Sequence, residues 1–157
     1  MRDKTILIPA NPKKIDIYGN ILAHAMHLAR YGGVFWGMGK RGEKEPEEFH
    51  HKEIEKGYFY NAVAGKVDHA IDIVFVRAMA EIDDLEIFDL FIPHWRKKDF
   101  YERYEAYIVL IDGIVPLKKQ YDLEDFIKFE DNTPVLPPLK NYSIIIDPKY
   151  ERLKYEI

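Results

Sequence analysis

The stretch GGVFWGMGKRG, residues 32–42, places a short apolar segment between glycines and follows it with two basic residues. Residues 34–36 are apolar enough for a buried strand, and the glycines around them allow a ligand or another chain to approach the backbone closely. A tryptophan, Trp36, at the end of such a strand beside Lys40 and Arg41 is suited to stacking on a planar, anionic partner such as a nucleotide. The alternative is that Trp36 is simply part of the core.

The composition predicts one globular domain spanning residues 1–157, with 47% hydrophobic and 32% charged residues. The absence of cysteine excludes disulfides and thiolate chemistry. Ser143 is the only serine and lies in an apolar, strand-like run, so serine hydrolysis is excluded as well. Glu and Lys replace uncharged polar residues, a bias typical of hyperthermophile proteins.

The net charge of −4 argues against indiscriminate binding of nucleic acid, but it leaves room for a local basic surface. Lysines and arginines cluster in four predicted connections, at residues 13–14, 40–41, 96–98 and 118–119. The clusters either share one basic face of the protein or are ordinary solvated surface charges. The chain opens without a signal peptide, and no apolar run approaches the twenty residues that cross a bilayer. We therefore expect a cytoplasmic protein without a membrane partner.

Periodicity and turn residues predict at least six strands and few helices. The helices are predicted at residues 20–31, from an Asn cap to a Gly-Gly stop, and at residues 46–56. The strands are predicted at residues 5–9, 33–38, 58–63, 66–79, 107–111 and 114–117, the last two joined by a turn at Asp112-Gly113, with a late strand within residues 141–148. Residues 149–157 are charged and are expected to fray. The fold class is α+β, a small curved β-barrel-like sheet flanked by one to three helices.

Histidines offer a possible metal site. His24 and His27 share one face of the first predicted helix, whereas the adjacent His50 and His51 point apart. Together with Asp or Glu, these residues leave open a metal-dependent hydrolase.

The order of several short motifs resembles the PUA-like superfamily and, within it, the YTH and EVE domains. A first strand ending in a small residue and Asn is followed by a helix and then by a Gly-Val-aromatic-Trp strand. After these come a strand pair that turns through Gly-Lys, an Ile-Pro-His-Trp segment, and a late strand that ends before two basic residues. In this sequence the motifs are residues 8–11, 33–36, 65–66, 92–95 and 117–119.

The resemblance implies a module that binds 6-methyladenine in an aromatic pocket without catalysis, cofactor or metal. The residues matching the two pocket tryptophans are Trp36 and Trp95, which we expect to line a slot open to solvent. The other implied pocket residues are Asn11, which would read the base edge, Gly37, which would contact the base through its backbone, and Phe35. Phosphates would be held by Lys40, Arg41, Lys97 and Lys98.

Such domains resemble the N-terminal target-recognition domains of McrB-like, modification-dependent restriction proteins of archaea and bacteria. This chain lacks a Gly-rich phosphate loop, so a motor and a nuclease would belong to a partner or to a longer chain. DNA carrying the modified base is the favoured partner. The alternatives are a PUA-like RNA-binding protein with no preference for modification, the metal-dependent hydrolase, and a protein-interaction domain whose aromatic residues are all core.

Overall fold

The computed structural model describes residues 3–10, 20–39 and 48–153, which form one sheet with short helices around it. In chain order the elements are β1 (Lys4–Ala10), α1 (Asn20–Tyr31), β2 (Val34–Met38), β3 (Lys56–Asn61), β4 (Lys66–Ala78), α2 (Lys97–Tyr101), β5 (Tyr107–Tyr121) and β6 (Ser143–Ile146). Short 3₁₀ helices lie at Met79–Glu81, Leu85–Phe91, His94–Arg96 and Leu123–Asp125. None of the helices in these ranges has the length and apolar character needed to span a membrane.

The six strands lie in the order β2-β5-β4-β3-β1-β6. Every neighbouring pair is antiparallel except β1 and β3, which are parallel. The sheet ends at β2 on one side and at β6 on the other, and these two edge strands do not pair with each other. The predicted α+β class is therefore confirmed, and the sheet as described is not closed.

Strand β2 divides its aromatic pair between two parts of the core. Trp36 packs against Phe59 of β3 in one apolar cluster, with ring centroids 4.5 Å apart. Phe35 belongs to a different cluster, where its ring lies 6.0 Å from that of Phe100. Successive side chains of a strand point to opposite faces, so the two neighbours cannot share one environment.

Helix α1 spans the predicted residues, and its C-terminal end has the predicted cause. It ends where Gly32 adopts a φ of +82° and donates its N–H to the carbonyl of Leu28. The helix is amphipathic and turns Ile21 and His24 toward the protein interior. This orientation places His24 over the sheet near β2.

Two sequence predictions in the connections are wrong. Asp112 and Gly113 do not form a hairpin turn, because β5 continues through them with an irregular register against β4. Residues 48–55 are not helical, although a helix was predicted at 46–56. Phe49 and Ile54 are both buried in the same apolar cluster, whereas a helix would turn side chains five residues apart about 140° away from each other.

The last described residues are held against the sheet, contrary to the expectation that they fray. The Lys118 N–H donates to the carbonyl of Glu151, and the ring of Tyr150 stacks on that of Tyr121 at 3.6 Å. The Arg152 guanidinium makes two hydrogen bonds, of 2.8 and 2.9 Å, to the Asp72 carboxylate. This segment therefore adds a short paired stretch along β5.

Gly57 in β3 provides a direct test of the β1–β3 pairing. A Cβ at this position would lie 2.7 Å from the backbone oxygen of Ile6 and 2.8 Å from its Cγ2. Because backbone cannot swing aside as a long side chain can, Gly57→Ala is expected to lower the free energy of unfolding by about 1–3 kcal/mol. Chemical denaturation measures this loss, with Gly39→Ala as the control, since no atom lies within 4 Å of a Cβ there. Equal stability of the two variants would contradict the described close approach.

Candidate base-binding site

The two tryptophans of the chain contact the same side chain, that of His24 in α1. The His24 ring centroid lies 4.4 Å from that of Trp36, with the planes tilted by 45°. It also lies 5.4 Å from the ring centroid of Trp95, with the planes at 87°. Residues 59 positions apart in the sequence are thus brought against one imidazole.

The space between the indoles is filled rather than open. Trp36 is 5% exposed and His24 4% exposed, so neither faces a slot that solvent can reach. Trp95 is partly exposed, but its indole Nε1 is buried and finds no hydrogen-bond partner among the described residues. A buried N–H without a partner is costly, and it is one group at this site that a ligand acceptor could satisfy.

His24 is a neutral ring with a fixed tautomer. Its Nδ1 donates to the backbone carbonyl of Asn20 at 2.7 Å, one helical turn earlier. Burial, together with the nearby positive charge of Arg96, lowers the pKa of His24 from 6.5 to about 4. The ring that contacts both indoles is therefore flat, aromatic and uncharged at neutral pH.

A second histidine, His27, faces Trp95 from the next part of α1. Its ring centroid lies 6.3 Å from that of Trp95, and its Nε2 donates to the carbonyl of Leu90 at 2.8 Å. Burial lowers the pKa of this imidazole as well. His24 and His27 thus each use one ring nitrogen to donate a hydrogen bond to a backbone carbonyl.

The described residues contain no group of three or more His, Cys, Asp or Glu side chains able to hold a metal ion. The ring of His51 packs edge-on against Phe49, at a centroid distance of 5.8 Å, away from α1. The four histidines considered for a metal-dependent hydrolase are thus not gathered around one point in this part of the chain.

Gly37 lies under an ion pair at the edge of the site. Arg96, next to Trp95, binds the carboxylate of Glu105, and both side chains are largely buried. A Cβ on Gly37 would lie 2.5 Å from Glu105 Cγ, so only glycine leaves room for this pair. The pair joins the segment that carries Trp95 to Glu105, which lies against Gly37 of β2, and no local sequence pattern predicts it.

The predicted phosphate-binding residues are only partly described. The Lys97 ammonium lies 2.7 Å from the Asp89 carboxylate, so a phosphate would compete with that partner. Lys98 is exposed and makes no ion pair with any residue in the described ranges. Asn11, Lys40 and Arg41, which were assigned to base and phosphate contacts, lie outside those ranges.

Phe35 does not join the two indoles. Its side chain is completely buried, and its ring packs against Phe75, Phe88 and Phe100 on the other face of β2. The residue between the indoles, His24, was considered from the sequence only as a metal ligand. Its position within the apolar face of α1, three residues after Ile21 and four before Leu28, was the available signal that it turns inward.

Comparison of the chain with protein families, with curated proteins and with solved structures finds no match in any of the three.

Proposed function

We propose that this protein is a non-catalytic nucleic-acid-binding module of PUA-like type. It recognises a modified base, 6-methyladenine in DNA, by taking the extruded base between Trp36 and Trp95. The observation that carries the proposal is the shared contact of both indoles with the flat ring of His24. In the bound state the base takes the place of this imidazole, whose side chain rotates out.

The exchange of one ring for another is energetically reasonable. Extruding a base from a duplex costs a few kcal/mol, and single-stranded DNA avoids most of that cost. Releasing His24 gives up its hydrogen bond to Asn20, with a net value of about 1 kcal/mol, and its own ring contacts with both indoles. Stacking on an aromatic side chain contributes about 1–3 kcal/mol per base. Because a purine is larger than an imidazole and covers more of each indole, binding is expected to be favourable for an accessible base.

The N6-methyl group makes binding more favourable because one more carbon is buried in the complex. A buried methyl group is worth about 0.8 kcal/mol, or about fourfold in affinity. The preference rises to tens-fold if the unmethylated base leaves a void in a rigid pocket. The Arg96–Glu105 pair against Gly37 supports such rigidity, because it fixes the segment that carries Trp95.

Two further features support the proposal. Lys98, exposed three residues after Trp95, is available for a phosphate beside the extruded base. The isolated bridge between Leu117 and Arg152 places the C-terminal segment along the free side of β5, which favours a barrel-like arrangement of PUA-like type. In this proposal the module supplies the specificity of a restriction system, and a separate motor and nuclease cut the DNA.

Binding to single-stranded oligonucleotides that differ in one N6-methyl group tests the proposal. The wild-type protein is expected to prefer methylated DNA, and Trp95→Ala is expected to weaken binding about 5- to 150-fold and to abolish the preference. Trp95 is the residue to replace because it is partly exposed, whereas Trp36 is core. Tyr104→Ala is the matched control, since Tyr104 is an exposed aromatic residue of the same connection. Fluorescence anisotropy at low salt measures all these affinities.

The results of this binding experiment distinguish the proposed function from its alternatives. Equal affinity for methylated and unmethylated DNA would contradict recognition of the modified base. A broad preference for RNA, independent of methylation, would select a PUA-like RNA-binding protein. No binding to either nucleic acid at low salt, where phosphate contacts are strongest, would contradict nucleic-acid binding altogether.

A further inference from the structure

A second cavity opens beside the first turns of α1, next to the ends of β1 and β3. Its volume is about 530 Å³, within the range of small-molecule sites. Apolar side chains dominate its lining, which consists of Ala10, Asn20, Ile21, Leu22, Ala25, Asn61, Val63, His69, Ile114 and Pro116. Leu22 and Val63 are 50% and 74% exposed, so the lining reaches the surface.

One polar group in the lining, His69, is oriented by a carboxylate. The Nδ1 of His69 lies 2.8 Å from Asp68 Oδ1, and the Asn61 amide donates to the other oxygen of Asp68 at 3.4 Å. Because the carboxylate accepts, Nδ1 carries a proton, and in that tautomer of the singly protonated ring Nε2 is a hydrogen-bond acceptor. An apolar cavity with one oriented acceptor suits a flat ring that bears an N–H donor.

The side chain of Asn61 is already hydrogen-bonded within the protein, so it is not the group that recognises a ligand in the cavity. Its side-chain oxygen accepts the backbone N–H groups of Val63 and Ala64, and its amide is directed to Asp68. Asn61 therefore supports the turn and positions the carboxylate. His69 is left as the side chain that discriminates among ligands.

We propose that this cavity is a second nucleobase pocket, which binds a base through an N–H group that donates to His69 Nε2. The amino group of adenine supplies such a donor, whereas N6,N6-dimethyladenine has the same ring system and lacks it. The position of the cavity favours this ligand class. Ile21 and Ala25 line it, while His24 on the same turn of α1 contacts both indoles. Because α1 rises 1.5 Å per residue, Ile21 and Ala25 lie within one helical turn of His24 along the helix axis.

The base can come from the bound strand, as a neighbour of the extruded nucleotide, or from a free nucleoside. The first source rests on the proposed function, and the second does not. Both use the same chemistry, so the experiment has one arm for each source.

The free-ligand arm titrates the protein with adenosine and with N6,N6-dimethyladenosine while the ring signals of His69 are followed by NMR. Adenosine is expected to shift these signals and to bind about 2- to 10-fold more tightly than the dimethylated nucleoside, the value of one hydrogen bond. His69→Phe keeps a ring but loses the acceptor, and is expected to bind both nucleosides equally. His50→Phe, an exposed position outside the cavity, is expected to behave as wild type. Unchanged His69 signals on addition of adenosine would remove the free nucleoside as a source.

The strand arm uses methylated oligonucleotides in which the nucleotide on either side of the 6-methyladenine is adenine, N6,N6-dimethyladenine or an abasic site. Replacing the neighbouring adenine by either of the other two is expected to weaken binding to the wild type but not to His69→Phe. If neighbours have no effect while the methyl preference remains, the second pocket is not used by the strand and the proposed function stands. If the methyl preference is absent while adenosine still shifts His69, the proposed function fails and the pocket stands. The inference is overturned if adenosine does not shift the His69 signals and if the neighbouring base has no effect on affinity that depends on His69.

Discussion

Trp36→Ala is expected to lower the free energy of unfolding by about 3–5 kcal/mol, the range for deleting a large aromatic side chain from a core. The indole is 5% exposed and packs between Phe59 and His24. Its removal leaves a cavity that β2, paired with β5 along its whole length, cannot collapse to fill. Chemical denaturation followed by circular dichroism measures the loss.

The matched comparison is Trp95→Ala. Trp95 lies in a short 3₁₀ helix and is partly exposed, so its removal is expected to cost clearly less stability than the loss of Trp36. A cost below about 1 kcal/mol for Trp36→Ala, or a larger cost for Trp95→Ala, would contradict the assignment of Trp36 to the core.

The second large effect is a loss of stability in mild acid that depends on His24. Its pKa is about 4 in the folded protein against an ordinary value of 6.5, chiefly because of burial. Between these pH values the unfolded chain binds a proton that the folded chain does not. The free energy of unfolding therefore falls as the pH falls from about 6.5 to 4, by about 3 kcal/mol from this residue alone. Above pH 6.5 the contribution is complete.

His24→Gln isolates this effect, because glutamine does not titrate and the carboxylates that titrate in acid remain. The difference in unfolding free energy between wild type and variant is expected to shrink steadily as the pH is lowered through this window. Denaturation curves at a series of pH values measure it. A difference that stays constant from pH 7 to pH 4 would show that the imidazole is not buried in its neutral form.

Local signals in the sequence account for much of the fold. The Gly-Gly stop defines the C-terminal end of α1, and alternation in the long fourth strand marks β4. The errors arise where tertiary contacts override local preference. A register irregularity carries β5 straight through Asp112-Gly113, and core contacts of Phe49 and Ile54 keep residues 48–55 from forming a helix. Residues 150–152 are held by Asp72 and Tyr121, distant partners that no local pattern reveals.

The site was predictable only as a pair of tryptophans. The resemblance predicted that Trp36 and Trp95 line one slot open to solvent; in the structure both contact His24, and Trp36 is buried. Which side chain both indoles contact depends on how α1 packs over β2. The periodicity of the sequence indicates only that one face of α1 is buried. The pairing of Arg96 with Glu105 depends on the space left by Gly37.

The central claim is that a methylated adenine replaces the imidazole of His24 between the two indoles. Intermolecular NOEs from the N6-methyl protons of a bound methylated oligonucleotide test it most directly. The account predicts NOEs to the ring protons of both Trp36 and Trp95, together with loss of the hydrogen bond from His24 Nδ1 to Asn20. An oligonucleotide that binds with no NOE to either indole, and with that hydrogen bond intact, would contradict it.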